Sequence, residues 1–157
     1  RRGTMAIRKI RLGDYSVLRM RAREVARIDD RVLLTLKDMM DTLEAHSNGA
    51  ALAANQIGVL RRLIVINYCG NRLKLINPEI VSSGLRQSTE GCLSFPNIFG
   101  IVVRPQKVVV RAIDEHGQHF TICAEDDLAK CLCHEIDHLN GILFTDKVIK
   151  FVKEDEL

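Results

Sequence analysis

The chain has 157 residues, 46% hydrophobic and 27% charged, with a formal net charge of +3, which suits one globular domain able to bury a real core. No apolar run approaches a membrane span, and the N-terminus lacks the apolar stretch of a secretory signal. Arg1 to Thr4 precede a natural-looking start at Met5 and read as a cloning remnant, leaving 5–157 as a single domain; without Arg1 and Arg2 the charge falls from +3 to +1, too small to argue for a nucleic-acid partner.

Charge is nevertheless uneven. Residues 1–31 hold ten Lys or Arg against four Asp or Glu, which reads as a solvated basic face in preference to an RNA-docking patch. Five cysteines (Cys69, Cys92, Cys123, Cys131 and Cys133) are an odd number in a chain with no secretion signal. They read as reduced cytosolic thiols, one of which is available as a ligand.

Asp29 and Asp30 open the first helix. Val32, Leu33, Leu36, Met39, Met40 and Leu43 recur at helical spacing to about His46, and Gly49 stops it. His46 reads as a helix-end residue. Gly49 to Gly58 is a run of small residues that would let a backbone approach a ligand or another element closely. From Leu63 the pattern turns to strands: 63–67, 73–78 and 79–81 are short and β-branched. Segments 107–113 and 118–123 flank Asp114-Glu115-His116-Gly117 as a hairpin, with His116 and His119 facing solvent. Alternation suggests antiparallel sheet with one wet face. Helices at both ends with strands between them give an α+β fold: antiparallel sheets around a C-terminal helix, with an amphipathic helix near the N-terminus.

That C-terminal helix carries His134-Glu135-Ile136-Asp137-His138. Histidines four apart stand on one helical face and can reach one metal ion, and Glu135 is placed to act as base on a water the metal activates. Glu125, Asp126 and Asp127 supply negative charge and cap candidates at the helix start, and Gly141 is its stop. A catalytic site needs a third ligand. Cys131 shares the helical face but lies ~10.5 Å along the axis from His138, against metal–ligand bonds of about 2.0–2.3 Å, so it reads as a wall residue. Cys92 is the better candidate, because Gly91 permits close approach and Pro96 breaks a continuing ladder, as at a strand edge. Known protease extensions of the motif fail. The position for a third histidine is Phe144, and Glu154 and Glu156 fall in a polar tail expected to be frayed.

Gly49-Ala50-Ala51-Leu52-Ala53-Ala54-Asn55-Gln56, Glu90-Gly91-Cys92-Leu93-Ser94 and His134 to His138 together resemble the GxGLAAxQ, EGCLS and HExDH motifs of bacterial peptide deformylases, in that order. Similarity runs from about Met5 to Phe144. The resemblance implies Cys92, His134 and His138 as metal ligands, Glu135 as general acid/base, and Gln56 with the Leu93 backbone N–H as oxyanion donors. It implies Ala50, Ala51, Gly91 and Cys131 along the substrate. The cofactor would be Fe²⁺, with Zn²⁺, Ni²⁺ or Co²⁺ able to substitute. The reaction would take the formyl group from formyl-methionyl nascent peptides in a bacterial cytoplasm, with transient ribosome contact and no membrane or specific DNA partner. Ala51 departs from the motif's second glycine, and the expectation is that its methyl hinders the loop. The tail also lacks the long C-terminal helix of some members. An HExxH metallopeptidase and a non-catalytic metal-binding module are the alternatives.

Overall fold

The structure, a computed structural model, describes residues 6–13, 16–46 and 49–157, with Glu154 described by its backbone alone. The suspected remnant, Arg1 to Thr4, lies outside the described residues, as does the start at Met5.

Helix α1 spans Asp30–Glu44. Asp29 caps it, its carboxylate accepting from the Val32 N–H at 2.9 Å, a bond worth about 1 kcal/mol. Val32, Leu36, Met39, Met40 and Leu43 are buried as the spacing predicts, whereas Leu33, expected among them, is 38% exposed. One residue is a 100° step on a helix, which carries Leu33 off the inward stripe. The helix also stops at Glu44, short of His46, whose Nδ1 lies 2.8 Å from the Thr42 carbonyl.

Two antiparallel sheets follow, confirming the α+β class. The larger has the order β1 (Ala51–Ala53), β2 (Leu63–Tyr68), β3 (Asn71–Ser83), β6 (Lys107–Ile113) and β7 (His119–Glu125). The smaller joins β4 (Arg86–Cys92), β5 (Phe95–Arg104) and β8 (Lys150–Val152). Helix α2 (Asp126–Leu139) leaves β7 directly and carries both histidines.

The large sheet is covered on both faces where it matters. Ala51, Ala53, Ile64 and Ile66 pack with Ala129, Leu132, Ile136 and Leu139 of α2. Leu52, Leu63 and Val65 pack instead with Leu36, Met39 and Leu43 of α1. Alternate residues of one strand thus feed two cores, which is why β2 reads as a continuous apolar run. One wet face holds for β6 and β7, where more and less exposed residues alternate, and His116 and His119 are exposed.

Three expectations change. Residues 73–81 form one long strand, not two: the register shifts between Ile76 and Glu79, Asn77 has φ of +52°, and Pro78 sits in the resulting bulge. The Asn77 amide fills the gap by exchanging 2.8 Å bonds with the Val25 backbone. Pro96 does not end a ladder, because β5 already begins at Phe95 and pairs back on Cys92; proline is tolerated at the start of a strand. Before the tail that holds Glu154 and Glu156, the chain adds β8, whose Val152, Phe151 and Lys150 pair with Phe99, Gly100 and Ile101. At the start of α2, Glu125 makes no side-chain cap bond, so the acidic residues there act through charge alone.

Candidate metal centre

Helix α2 turns one face to the junction of the two sheets, burying His134, Glu135 and His138 to 7%, 5% and 1% exposure. The imidazole centroids are 5.0 Å apart, as i,i+4 stacking dictates. Beneath them Phe144, at the position a third histidine would need, stacks on His134 at 5.8 Å and meets Phe95 edge-on at 5.8 Å.

Cys92 reaches this face from the end of β4. Leu93 and Ser94 make the tight turn into β5, and the Cys92 sulfur lies 3.4 Å from His138 Nε2. Gly91 is required by space: a Cβ there would stand 2.9 Å from two ring carbons of Phe99. Gln56 closes the other side from a 3-10 turn, Ala54–Ile57. Its Oε1 accepts from the Ala53 N–H at 3.0 Å, while its Nε2 faces the Cys92 sulfur at 3.5 Å and the Ser94 hydroxyl at 3.3 Å.

Among the described residues, Cys92, His134 and His138 form the group able to hold a metal, with ligand atoms all within 4.8 Å of one another. The fit is supported by what surrounds it. His134 Nδ1 lies 2.8 Å from Glu90 Oε1, an acceptor, so Nδ1 carries the hydrogen and Nε2 keeps its lone pair for an ion. A soft sulfur with two imidazoles suits a first-row divalent transition ion without choosing between iron and zinc. Cys131 is not in the group and instead lines the adjoining cleft. Burial pushes its thiol upward, with the Glu135 charge adding to the shift, so it stays protonated.

Behind His134 lies a network that motif reading missed. Arg104, 2% exposed, grips Glu90 with two bonds of 2.8 and 3.0 Å and also bonds Asp137. Burial alone would raise the Glu90 carboxyl, but the hydrogen bonds from His134 and Arg104 outweigh it and bring it to about 2. The same pairing raises Arg104 despite its burial. A permanently charged carboxylate therefore holds the His134 ring in one orientation. Glu90 and Asp137 sit inside the recognisable motifs but carry no role there until the fold brings Arg104 to them; nothing local marks Arg104.

Burial raises Glu135 to about 7, opposed by His134. Its Oε1 has no hydrogen-bond partner among the described residues. For the metal-free protein this has a definite sign. Between about 4.5 and 7 the folded state holds a proton that the unfolded chain has released, so Glu135 lowers stability as pH rises across that window. The difference in unfolding free energy between Glu135→Gln and the parent should therefore grow in favour of Gln from pH 5 to pH 8, read by urea unfolding without metal. A flat difference would contradict the buried-acid assignment.

The cluster opens into a cleft of about 980 Å³. Gln56, Cys92, Leu93, His134 and Glu135 line it, with Ala50, Ala51, Gly91 and Cys131 further along; His138 lies below its floor. Ala51 is not in the left-handed region and its methyl belongs to the core shared with α2. The expected hindrance therefore has no basis in backbone strain. Ala51→Gly should cost about 0.5–1 kcal/mol of stability and bring no gain in activity; a rise in kcat/KM at unchanged Tm would restore the hindrance argument.

Known proteins agree with this architecture. Peptide deformylase 2 of Clostridium acetobutylicum is 49% identical over 150 residues, which is 95% of this chain and 100% of that protein. The crystal structure of a peptide deformylase from Legionella pneumophila superposes with a TM-score of 0.88 at 45% identity, covering 91% of this chain and 86% of that one. That of Synechococcus elongatus peptide deformylase, in complex with actinonin, gives 0.84 at 42% identity over 88% and 77% of the two chains. The polypeptide deformylase family model matches residues 7–154. Carried by the paired sheets, the helix-borne histidines and the cysteine that meets them, the chain belongs to the polypeptide deformylase family.

Proposed function

We propose that Cys92, His134 and His138 hold one divalent metal in this deformylase, and that residues 5–157 act as one catalytic domain removing the N-formyl group of formyl-methionyl nascent peptides as formate. The observation that carries the reading is the convergence of a sulfur and two imidazoles within 4.8 Å at the foot of a cleft. The ion, when bound, supplies Lewis acidity, making water nucleophilic near neutral pH and polarising a carbonyl.

The chain's own residues do the rest. Glu135, a buried carboxyl next to His134 on α2, is poised both to take the proton of the attacking water and to return it to the leaving amine. Gln56 presents an amide N–H, and Leu93 a backbone N–H in the turn after Cys92, toward the oxygen that gains charge. Glu90 and Arg104 keep His134 from turning away. Ala50, Ala51, Gly91 and Cys131 line the path of the extended peptide.

Fe²⁺ is the proposed resident ion, with Zn²⁺, Ni²⁺ or Co²⁺ able to replace it, in a bacterial cytoplasm and with transient ribosome contact. No helix among the described residues is long and apolar enough to cross a membrane. Formate release is the test. The Fe²⁺-loaded enzyme should deformylate formyl-Met peptides anaerobically and leave unformylated peptides intact; cleavage of internal peptide bonds would point to a metallopeptidase instead.

A further inference from the structure

We infer that Ser94 is a positioning residue that aims the Gln56 amide at the reacting carbonyl. The inference rests on the reading of Gln56 as an oxyanion donor. Ser94 is fully buried in the turn that follows Cys92, and its hydroxyl oxygen lies 3.3 Å from Gln56 Nε2.

A primary amide has one acceptor end and two N–H donors, and its terminal torsion is soft. The Ala53 N–H fixes the acceptor end by donating to Oε1 at 3.0 Å, so the nitrogen must face the site. That single bond still leaves the nitrogen free to swing. Ser94 removes the freedom by accepting one of its hydrogens, which directs the other toward the Cys92 sulfur, 3.5 Å away, on the wall of the cleft that Gln56 and Cys92 both line. The backbones of Gln56 and Ser94 are tied to one strap. The Arg11 N–H donates to the Gln56 carbonyl at 2.7 Å, and the Gly13 N–H to the Ser94 carbonyl at 2.7 Å. With both backbones held, the serine hydroxyl decides where the donor points.

The test is a double-mutant cycle on the metal-loaded enzyme with formyl-Met peptides. Ser94→Ala should lower kcat about 5–10-fold, the weight of one neutral hydrogen bond, with KM nearly unchanged. In the Gln56→Ala background the same change should do nothing further, because its target is gone. Ser94→Cys, similar in size but a poor acceptor, should show the same loss and serves if the alanine variant folds badly. In the metal-free protein, the two Gln56 side-chain amide protons should give distinct NMR signals that exchange faster in Ser94→Ala. An impaired Gln56→Ala with an unimpaired Ser94→Ala, or equal losses from Ser94→Ala in both backgrounds, overturns the positioning role alone. An unimpaired Gln56→Ala overturns the donor reading and this inference with it.

Discussion

Replacing Glu135 by alanine is expected to cut kcat by about 10²–10⁴-fold, the usual weight of a positioned acid/base, while the metal stays bound. That corresponds to roughly 3–5 kcal/mol of barrier. Glu135 is absent from the group of ligand atoms, so its loss should not empty the site. Nor does its side chain hold the fold together, since Oε1 meets no partner among the described residues and burial leaves it near neutral pH. A buried carboxyl kept at about 7 destabilises the metal-free protein and serves proton transfer. The check is steady-state deformylation alongside metal content and Tm. Near-parental turnover in a fully loaded variant would contradict the assignment.

Gln56→Ala should cost roughly 10²–10³-fold in kcat, as for one oxyanion donor. Losses in kcat and kcat/KM should be equal, the mark of an interaction made only in the transition state. The substitution also strips the Ala53 N–H of its acceptor, which adds about 1–3 kcal/mol of instability. Gln56→Glu separates the two effects. It can keep the bond to Ala53 but sets a carboxylate where the donor should be, so stability should largely return while turnover falls further. Recovered turnover in Gln56→Glu would show that the side chain matters through the turn and not through its N–H.

The sequence made some parts of this site legible because their signal is local. His134 and His138 announce themselves through helical period, and Cys92 through the ordered motifs around it. Arg104 does not, because its meaning lies in Glu90 and Asp137, partners 14 and 33 residues away. The hairpin from Arg86 to Arg104 escaped for another reason. Its strands read RQSTEGC and FPNIFGIVVR, polar on one side and broken by Pro and Gly on the other, so neither periodicity emerges. The basic N-terminal stretch shows a similar limit. Arg8 pairs with buried Asp38, Arg19 with Asp146, and Arg21 donates to the Asn140 side chain at 3.1 Å, while Arg23 and Arg27 are exposed. A charge count cannot separate those that tie the segment down from those that face water. Ala51 shows the same limit: only the packing of β1 against α2 shows that its methyl belongs to the core.

The central claim is that Cys92, His134 and His138 hold one metal, with Cys131 apart. Cobalt(II) loading tests it most directly, since a thiolate ligand gives the ion a near-ultraviolet charge-transfer band that oxygen and nitrogen ligands lack. The parent and Cys131→Ser should bind one Co²⁺ per chain and show the band. Cys92→Ser should lose the band and bind the ion more weakly, a neutral hydroxyl having replaced a charged sulfur. A band that survives in Cys92→Ser and vanishes in Cys131→Ser would contradict the account.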